Sequence, residues 1–184
     1  MNFENELIPG VLIKRYKRFF ADIKVKNKII TVHCPNSGSM MGLLKKNNKV
    51  WISESNNKKR KLIYTLQIIE VEGNKVGVNT HLTNKIVLEG LKENLIPIFN
   101  KEVIIKTEQR FGHNTRFDFL LNDNNQKSFL EVKNVTLVRK KKLAEFPDAI
   151  TERGKKHLYE LINTLKKGFK AYMLFVVQRE KYYR

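Results

Sequence analysis

The sequence predicts an α+β protein in two parts, a small N-terminal β-barrel over residues 1–79 and an α/β domain with a mixed sheet over residues 80–184. Three observations predict it. Short runs of β-branched and aromatic residues, separated by polar turns, fill the first eighty residues without a sustained helical period. At Asn79-Thr80 the pattern changes, and Leu82, Ile86 and Leu91 recur at helical spacing after residues suited to capping. Towards the C-terminus, strand-like residues lead into a long amphipathic stretch and then a wholly apolar run. That order suits a strand, a crossover helix and a parallel strand, joined with right-handed sense.

Taken in order, the strands of the first part are 11–16, 19–25, 29–33, 50–53, 62–71 and 76–78. Asn27-Lys28 and Glu72-Gly73-Asn74 supply hairpin turns. Strands this short and this close build a barrel or a sandwich, and a five-stranded barrel of the OB type fits both the length and the basicity. Residues 35–39 (PNSGS) form a loop by composition, with a nest of backbone N–H groups for phosphate as the sharper alternative. Cys34, the single cysteine, excludes an internal disulfide and reads as a small buried thiol beside that loop; His33-Cys34 as a pair of metal ligands is the weaker reading. In the second part a first helix begins near residue 82, strands follow at 102–106, 116–121 and 128–137, and Pro147 opens a long helix. Ile150, Leu158, Leu161, Ile162 and Leu165 make its apolar face, and Gly168 stands where a C-terminal cap belongs. Residues 171–177 read as a strand buried on both faces.

The composition narrows the partners. Lys and Arg number 36 against 18 Asp and Glu, giving a formal charge of +18 and a pI near 10.0 in 184 residues. That balance points to a polyanion such as nucleic acid, although the abundance of Lys, Asn and Ile together also suits A+T-rich coding. With 41% hydrophobic residues the chain can bury a core. The first residues lack the basic and apolar segments of a signal peptide, and no run reaches membrane-spanning length, so the expectation is a cytoplasmic protein.

The stretch 116–135 carries the chemistry. Asp118 sits between apolar neighbours in RFDFLL, and Glu131 and Lys133 lie two apart in FLEVK. Side chains alternate along a strand, so Glu131 and Lys133 share one face while Leu130 and Val132 take the other. Six polar residues at 122–127 supply the turn between the two strands. Folded as a hairpin, the strands set Asp118 beside Glu131, an oxygen-ligand pair suited to Mg²⁺ or Mn²⁺, with Lys133 adjacent. Such a set can hydrolyse phosphodiesters, whereas a cross-strand charge pair without chemistry is the plainer reading.

Five runs resemble the sugar fermentation stimulation protein A family in order across nearly the whole chain. They are HCPNSGSM at 33–40, VNT at 78–80 with Asn84, RFDFL at 116–120, FLEVKNVTL at 129–137 and FPDAITERGKKHL at 146–158. The resemblance implies an N-terminal OB-like barrel, a C-terminal domain similar to the PD-(D/E)xK restriction-endonuclease fold, DNA binding and a link to sugar utilisation. It maps the nuclease-like motif onto Asp118, Glu131 and Lys133, with Glu89 or Glu108 as a further acidic residue. Arg116, Arg139, Lys140, Lys141, Arg153, Lys156 and His157 are the candidate phosphate contacts; His157 can also assist proton transfer. Members of the family run several tens of residues longer, which implies an added strand and helix there and, in this chain, an exposed sheet edge, a pruned function or a need for a partner.

Three readings follow. A DNA-binding protein tracks phosphates with Lys and Arg and stacks bases on Tyr16, Phe19, Phe20 or Tyr64, aromatics that suit a core role equally. A Mg²⁺- or Mn²⁺-dependent nuclease acts on DNA or RNA through Asp118, Glu131 and Lys133. A protein-interaction module keeps the fold and carries its positive charge for compositional reasons. No organic cofactor is expected, and oligomeric state is not legible.

Overall fold

Period-two alternation and tight turns account for the first six strands. In the computed structural model, which describes residues 1–100, 102–112, 115–140 and 143–180, they are β1 (Ile8–Tyr16), β2 (Phe20–Val25), β3 (Lys28–His33), β4 (Lys49–Glu54), β5 (Tyr64–Val71) and β6 (Asn74–Gly77). Their order is β3-β2-β1-β4-β5-β6, and a parallel bridge between His33 and Thr65 joins β3 to β5. That bridge closes five strands into the expected OB-like barrel, with β6 added beside β5. The register of β1 shifts between Leu12 and Lys14, which bends the strand as it passes from β4 to β2. Leu12, Ala21, Ile23, Val32, Ile52, Leu66 and Ile69 fill the interior. Between β5 and β6, Glu72 and Gly73 both take positive φ, as the tightest hairpin turns require.

The loop at 35–40 serves the chain itself rather than a phosphate. Asn36 Oδ1 accepts from Gly38 N at 2.9 Å, and Met40 N and the Ser39 hydroxyl donate to the Asp148 carboxylate at 3.2 Å each. A carboxylate of the same chain thus fills the nest. Arg15 fixes the loop by donating to the carbonyls of Asn36 and Gly38. Cys34 is buried, as its type predicts, with its sulfur 3.6 Å from that of Met40.

The remaining elements are α1 (Thr83–Lys92), β7 (Ile104–Phe111), β8 (Thr115–Asp123), β9 (Gln126–Val135), the short β10 (Leu137–Lys140) and β11 (Leu143–Glu145), α2 (Glu152–Lys166) and β12 (Lys170–Val177). A four-stranded sheet has the order β12-β9-β8-β7. Val87 and Leu91 of α1 pack with Phe119, Leu121, Leu130 and Val132 in one cluster. Leu161 of α2 packs with Phe111, Phe117 and Phe129 in another. The chain forms two compact units, one of Met1–His81 with Asn134–Ala149 and Val177–Arg184, the other of Leu82–Lys133 with Ile150–Val176. Residues following β9 and β12 return to the first unit through main-chain bonds: Gly77 N donates to Gln178 O at 2.9 Å, and Val76 bridges Arg179.

Three expectations fail here. Pro147 follows a cis peptide bond and does not open the helix; α2 starts at Glu152, where the Thr151 hydroxyl accepts from Gly154 N at 3.0 Å. A hydroxyl able to satisfy one of the free N–H groups is the stronger start signal. The apolar face of that helix is only partly covered. Leu161 and Thr164 are buried, Leu158, Ile162 and Leu165 are exposed, and Ile150 lies outside the helix at 95% exposure. Nor is β12 buried on both faces. It lies at one edge of the sheet, with Phe175 and Val177 exposed, because a short apolar run signals a strand without saying what covers it.

The packing sets a measurable contrast. Phe117→Ala empties a fully buried ring site and is expected to cost about 3–5 kcal/mol in urea unfolding. Leu158→Ala on the exposed flank of α2 is expected to stay within about 0.5 kcal/mol of the parent protein.

Candidate active site

The site arises where two strands part. The β8–β9 ladder runs from Asp123↔Gln126 to Phe119↔Leu130 and ends there. Val132 N finds its acceptor in a side chain, the Asp118 carboxylate, whose Oδ2 lies 2.7 Å away. The other oxygen, Oδ1, accepts from Asn84 Nδ2 at 2.7 Å. Asp118 is therefore fixed by two donors, one from β9 and one from the first turn of α1.

Alternation along β9 supplies the rest. Leu130 and Val132 join the α1 cluster and Phe129 joins the α2 cluster. Glu131 and Lys133, in phase with Phe129, meet α2 as well. Lys133 Nζ donates to Glu131 Oε1 at 2.5 Å, and His157 Nδ1 contacts the same oxygen. A carboxylate oxygen only accepts, so His157 Nδ1 carries the proton and the tautomer is fixed, leaving Nε2 as the ring's other polar atom. Lys133 Nζ stands 3.4 Å from His157 Nδ1. The Glu131 side chain is only 4% exposed, and its second oxygen, Oε2, is buried without a hydrogen-bond partner. A buried carboxylate oxygen with no donor is costly.

The two carboxyls are driven apart electrostatically. Burial pushes the Asp118 carboxyl up, and the charge of Glu131 adds to that, outweighing the bonds from Val132 N and Asn84. Burial also pushes Glu131 up, but hydrogen bonds from His157 and Lys133, with their charges, hold it below the usual carboxylate range. Glu131 is thus the firmly ionised member and Asp118 the more easily protonated one, the division of labour expected of paired acids.

Asp118, Glu131, Lys133 and His157 therefore converge. Of the two further acidic candidates, Glu89 lies on α1 and Glu108 on β7. Glu108 takes positive φ and pairs with Arg116 at 3.3 Å on the surface. Among the described residues no group of three or more His, Cys, Asp and Glu is arranged to hold a metal ion by itself. Arg139 is exposed and pairs with Glu145 at 2.7 Å, within the short β10–β11 hairpin. Lys140 is exposed on β10, Arg153 and Lys156 are exposed on α2, and Lys141 lies outside the described residues. Asn84 is the functional residue that sequence reasoning left without a role. Its signal was a polar residue sharing a helix face with Val87, Leu88 and Leu91.

Comparison with known proteins places this geometry in a family. Residues 13–78 match the SfsA N-terminal OB domain, and residues 81–184 match the sugar fermentation stimulation protein RE domain. The sugar fermentation stimulation protein homolog of Pelagibacter ubique is 57% identical over 180 residues, 98% of this chain and 78% of that one. The homolog of Bartonella quintana is 48% identical over 182 residues, again 98% and 78%. Among solved structures, that of Pyrococcus furiosus SfsA in complex with Ca²⁺ superposes with a TM-score of 0.87 at 26% identity, covering 97% of this chain and 75% of that one.

Removing the charge at the centre gives the expected test. Glu131→Gln leaves Lys133 and His157 without their buried counter-charge and is expected to cost about 3 kcal/mol at neutral pH. Because the folded pKa of Glu131 lies below its unfolded value, its stabilisation is complete above the ordinary Glu range of about 4.3. It fades as pH falls through the lowered folded value, so urea unfolding of parent and variant should converge in acid.

Proposed function

This chain belongs to the sugar fermentation stimulation protein family, and from that membership we propose that it is a cytoplasmic DNA-binding protein whose second unit engages phosphate at a divalent-cation site on Asp118 and Glu131. The observation that carries the reading is the buried Glu131 Oε2 without a donor, a hard anionic oxygen of the kind a cation satisfies. Two protein carboxylates suit Mg²⁺ or Mn²⁺, since small hard cations keep several waters and take their remaining ligands from substrate phosphate. The related Pyrococcus protein was solved with Ca²⁺, another oxygen-seeking cation, which supports the same assignment here. Lys133 and His157 already share Glu131, so cation affinity without nucleic acid should be weak.

The barrel supports the same partner. Net charge of +18 favours a polyanion, and Phe19 is exposed beside a stacked Tyr16–Phe20 pair with ring centroids 5.6 Å apart. Lys14 lies 5.2 Å from the Tyr16 ring centre, as a cation over an aromatic face does. A part in stimulating sugar fermentation, as the relatives' name says of them, is the proposed biological setting. Among the described residues no helix is long and apolar enough to cross a membrane.

Hydrolysis is the second reading, favoured by the Lys133 ammonium on the Glu131 carboxylate. A cation bound there would polarise phosphoryl oxygen and acidify water. Lys133 would orient the attacking water or offset charge at the phosphoryl oxygens. His157, its Nδ1 proton fixed by Glu131, would use Nε2 to pass a proton to or from the reacting oxygen.

Native and denaturing gels of end-labelled single- and double-stranded DNA, with Mn²⁺ or chelator, separate the readings. The shift should weaken at least tenfold between about 50 and 200 mM salt. Shortening that needs Mn²⁺ and vanishes in Lys133→Met, with the shift kept within about threefold, assigns hydrolysis to this site. Salt-sensitive binding of intact DNA leaves a binding protein. Failure to bind any nucleic acid at low salt favours a protein-interaction module.

A further inference from the structure

A cavity of about 360 Å³ in the second unit shares no residue with the carboxylate site. Its walls include Phe111 at the end of β7, Thr115 at the start of β8, and Glu160, Asn163, Lys166 and Lys167 on and just after α2. The volume falls at the small end of the range for small-ligand sites, about 300–1,000 Å³. Thr115 is 7% exposed, and its hydroxyl is buried without a hydrogen-bond partner. A buried hydroxyl left unpaired beside a cavity gains a partner when a turn of its side chain brings it to a bound polar group.

The charges around it are sorted along the helix. Lys166 and Lys167 lie at its C-terminal end, with Lys167 Nζ 4.8 Å from the Phe111 ring centre. Glu160 lies seven residues earlier than Lys167, about 10 Å along the axis at 1.5 Å per residue. A ligand that suits this wall presents an anionic group at one end and hydrogen-bond donors at the other, with a flat apolar body between. Arg153, Lys156, Glu160, Asn163 and Lys167 follow one another at steps of three or four, so they form one stripe along α2. The same helix carries His157 into the carboxylate site.

We propose that this cavity is a nucleotide subsite. It holds one nucleotide of a strand that runs along α2 from the Asp118 and Glu131 centre, its phosphate on Lys166 and Lys167, its sugar or base against Asn163, Glu160 and the Thr115 hydroxyl. The inference rests on the nucleic-acid reading of the centre and extends it to the path of the strand.

Fluorescence anisotropy with mixed-sequence oligonucleotides of increasing length tests it, using the full chain, the surface double variant Lys166→Ala/Lys167→Ala, and Thr115→Val. Strands of about two or three nucleotides should bind parent and double variant alike. Strands of eight or more should bind the double variant about tenfold more weakly, with a log–log salt slope shallower by about one to two. Thr115→Val should weaken long strands severalfold at unchanged salt slope. Equal loss at every length means general charge attraction, and no loss at any length means an unused cavity; either result overturns the subsite. If no strand binds the parent protein, the nucleic-acid reading itself fails. Calorimetry with free AMP then decides the cavity alone: saturable binding abolished in the double variant retains a nucleotide site, and no binding overturns it.

Discussion

The organisation of the second unit depends on one constraint, the burial of the Glu131 carboxylate between Lys133 and His157. A charge nearly withdrawn from water must be matched by donors, and here both converge on a single oxygen. Lys133 comes from two residues along the same strand, so β9 must remain extended through that point. His157 comes from the second turn of α2, so the helix must lie against that face of the strand. The rings of Phe111, Phe117 and Phe129 with Leu161 then fill the space that this placement leaves.

Asp118 answers a second demand of the same region. With the β8–β9 register ending at Phe119 and Leu130, an N–H on β9 loses its strand acceptor, and the Asp118 carboxylate takes that place. Asn84 secures the other oxygen from α1. Chemistry and architecture therefore share the same atoms. Asp118 fills the gap between the strands, and burial followed by the charge of Glu131 raises its carboxyl, while hydrogen bonds from His157 and Lys133 lower that of Glu131.

Much of this was legible in the residues themselves. Alternation in FLEVK put Glu131 and Lys133 on one face, and the polar run at 122–127 announced the hairpin. The turn at Glu72-Gly73 was recognisable because positive φ has a residue signature. What escaped has physical causes. Periodicity marks an apolar face but not its cover, so Leu158, Ile162 and Leu165 belong to the apolar face that the spacing predicts and are nonetheless exposed. Pro147 is compatible with a helix start, yet Thr151 offers the oxygen that caps one. The nest at 35–40 could not be assigned from composition, because its occupant, Asp148, lies more than a hundred residues away. Asn84 looked like one polar residue among many until α1 brought it to Asp118.

The two units share a basic character but divide the work in the reading proposed: a closed barrel offering lysines and exposed aromatics, and a sheet whose parted strands hold an acidic pair inside a basic molecule. Everything specific in that account turns on whether Glu131 and Asp118 together hold a cation. Electron paramagnetic resonance of Mn²⁺ titrated into the protein, with and without a short DNA duplex, addresses this directly. One weak site per chain is expected, tightened by the duplex and lost in Glu131→Gln and Asp118→Asn. Mn²⁺ binding that is unchanged in both variants, or no site with or without DNA, would contradict it.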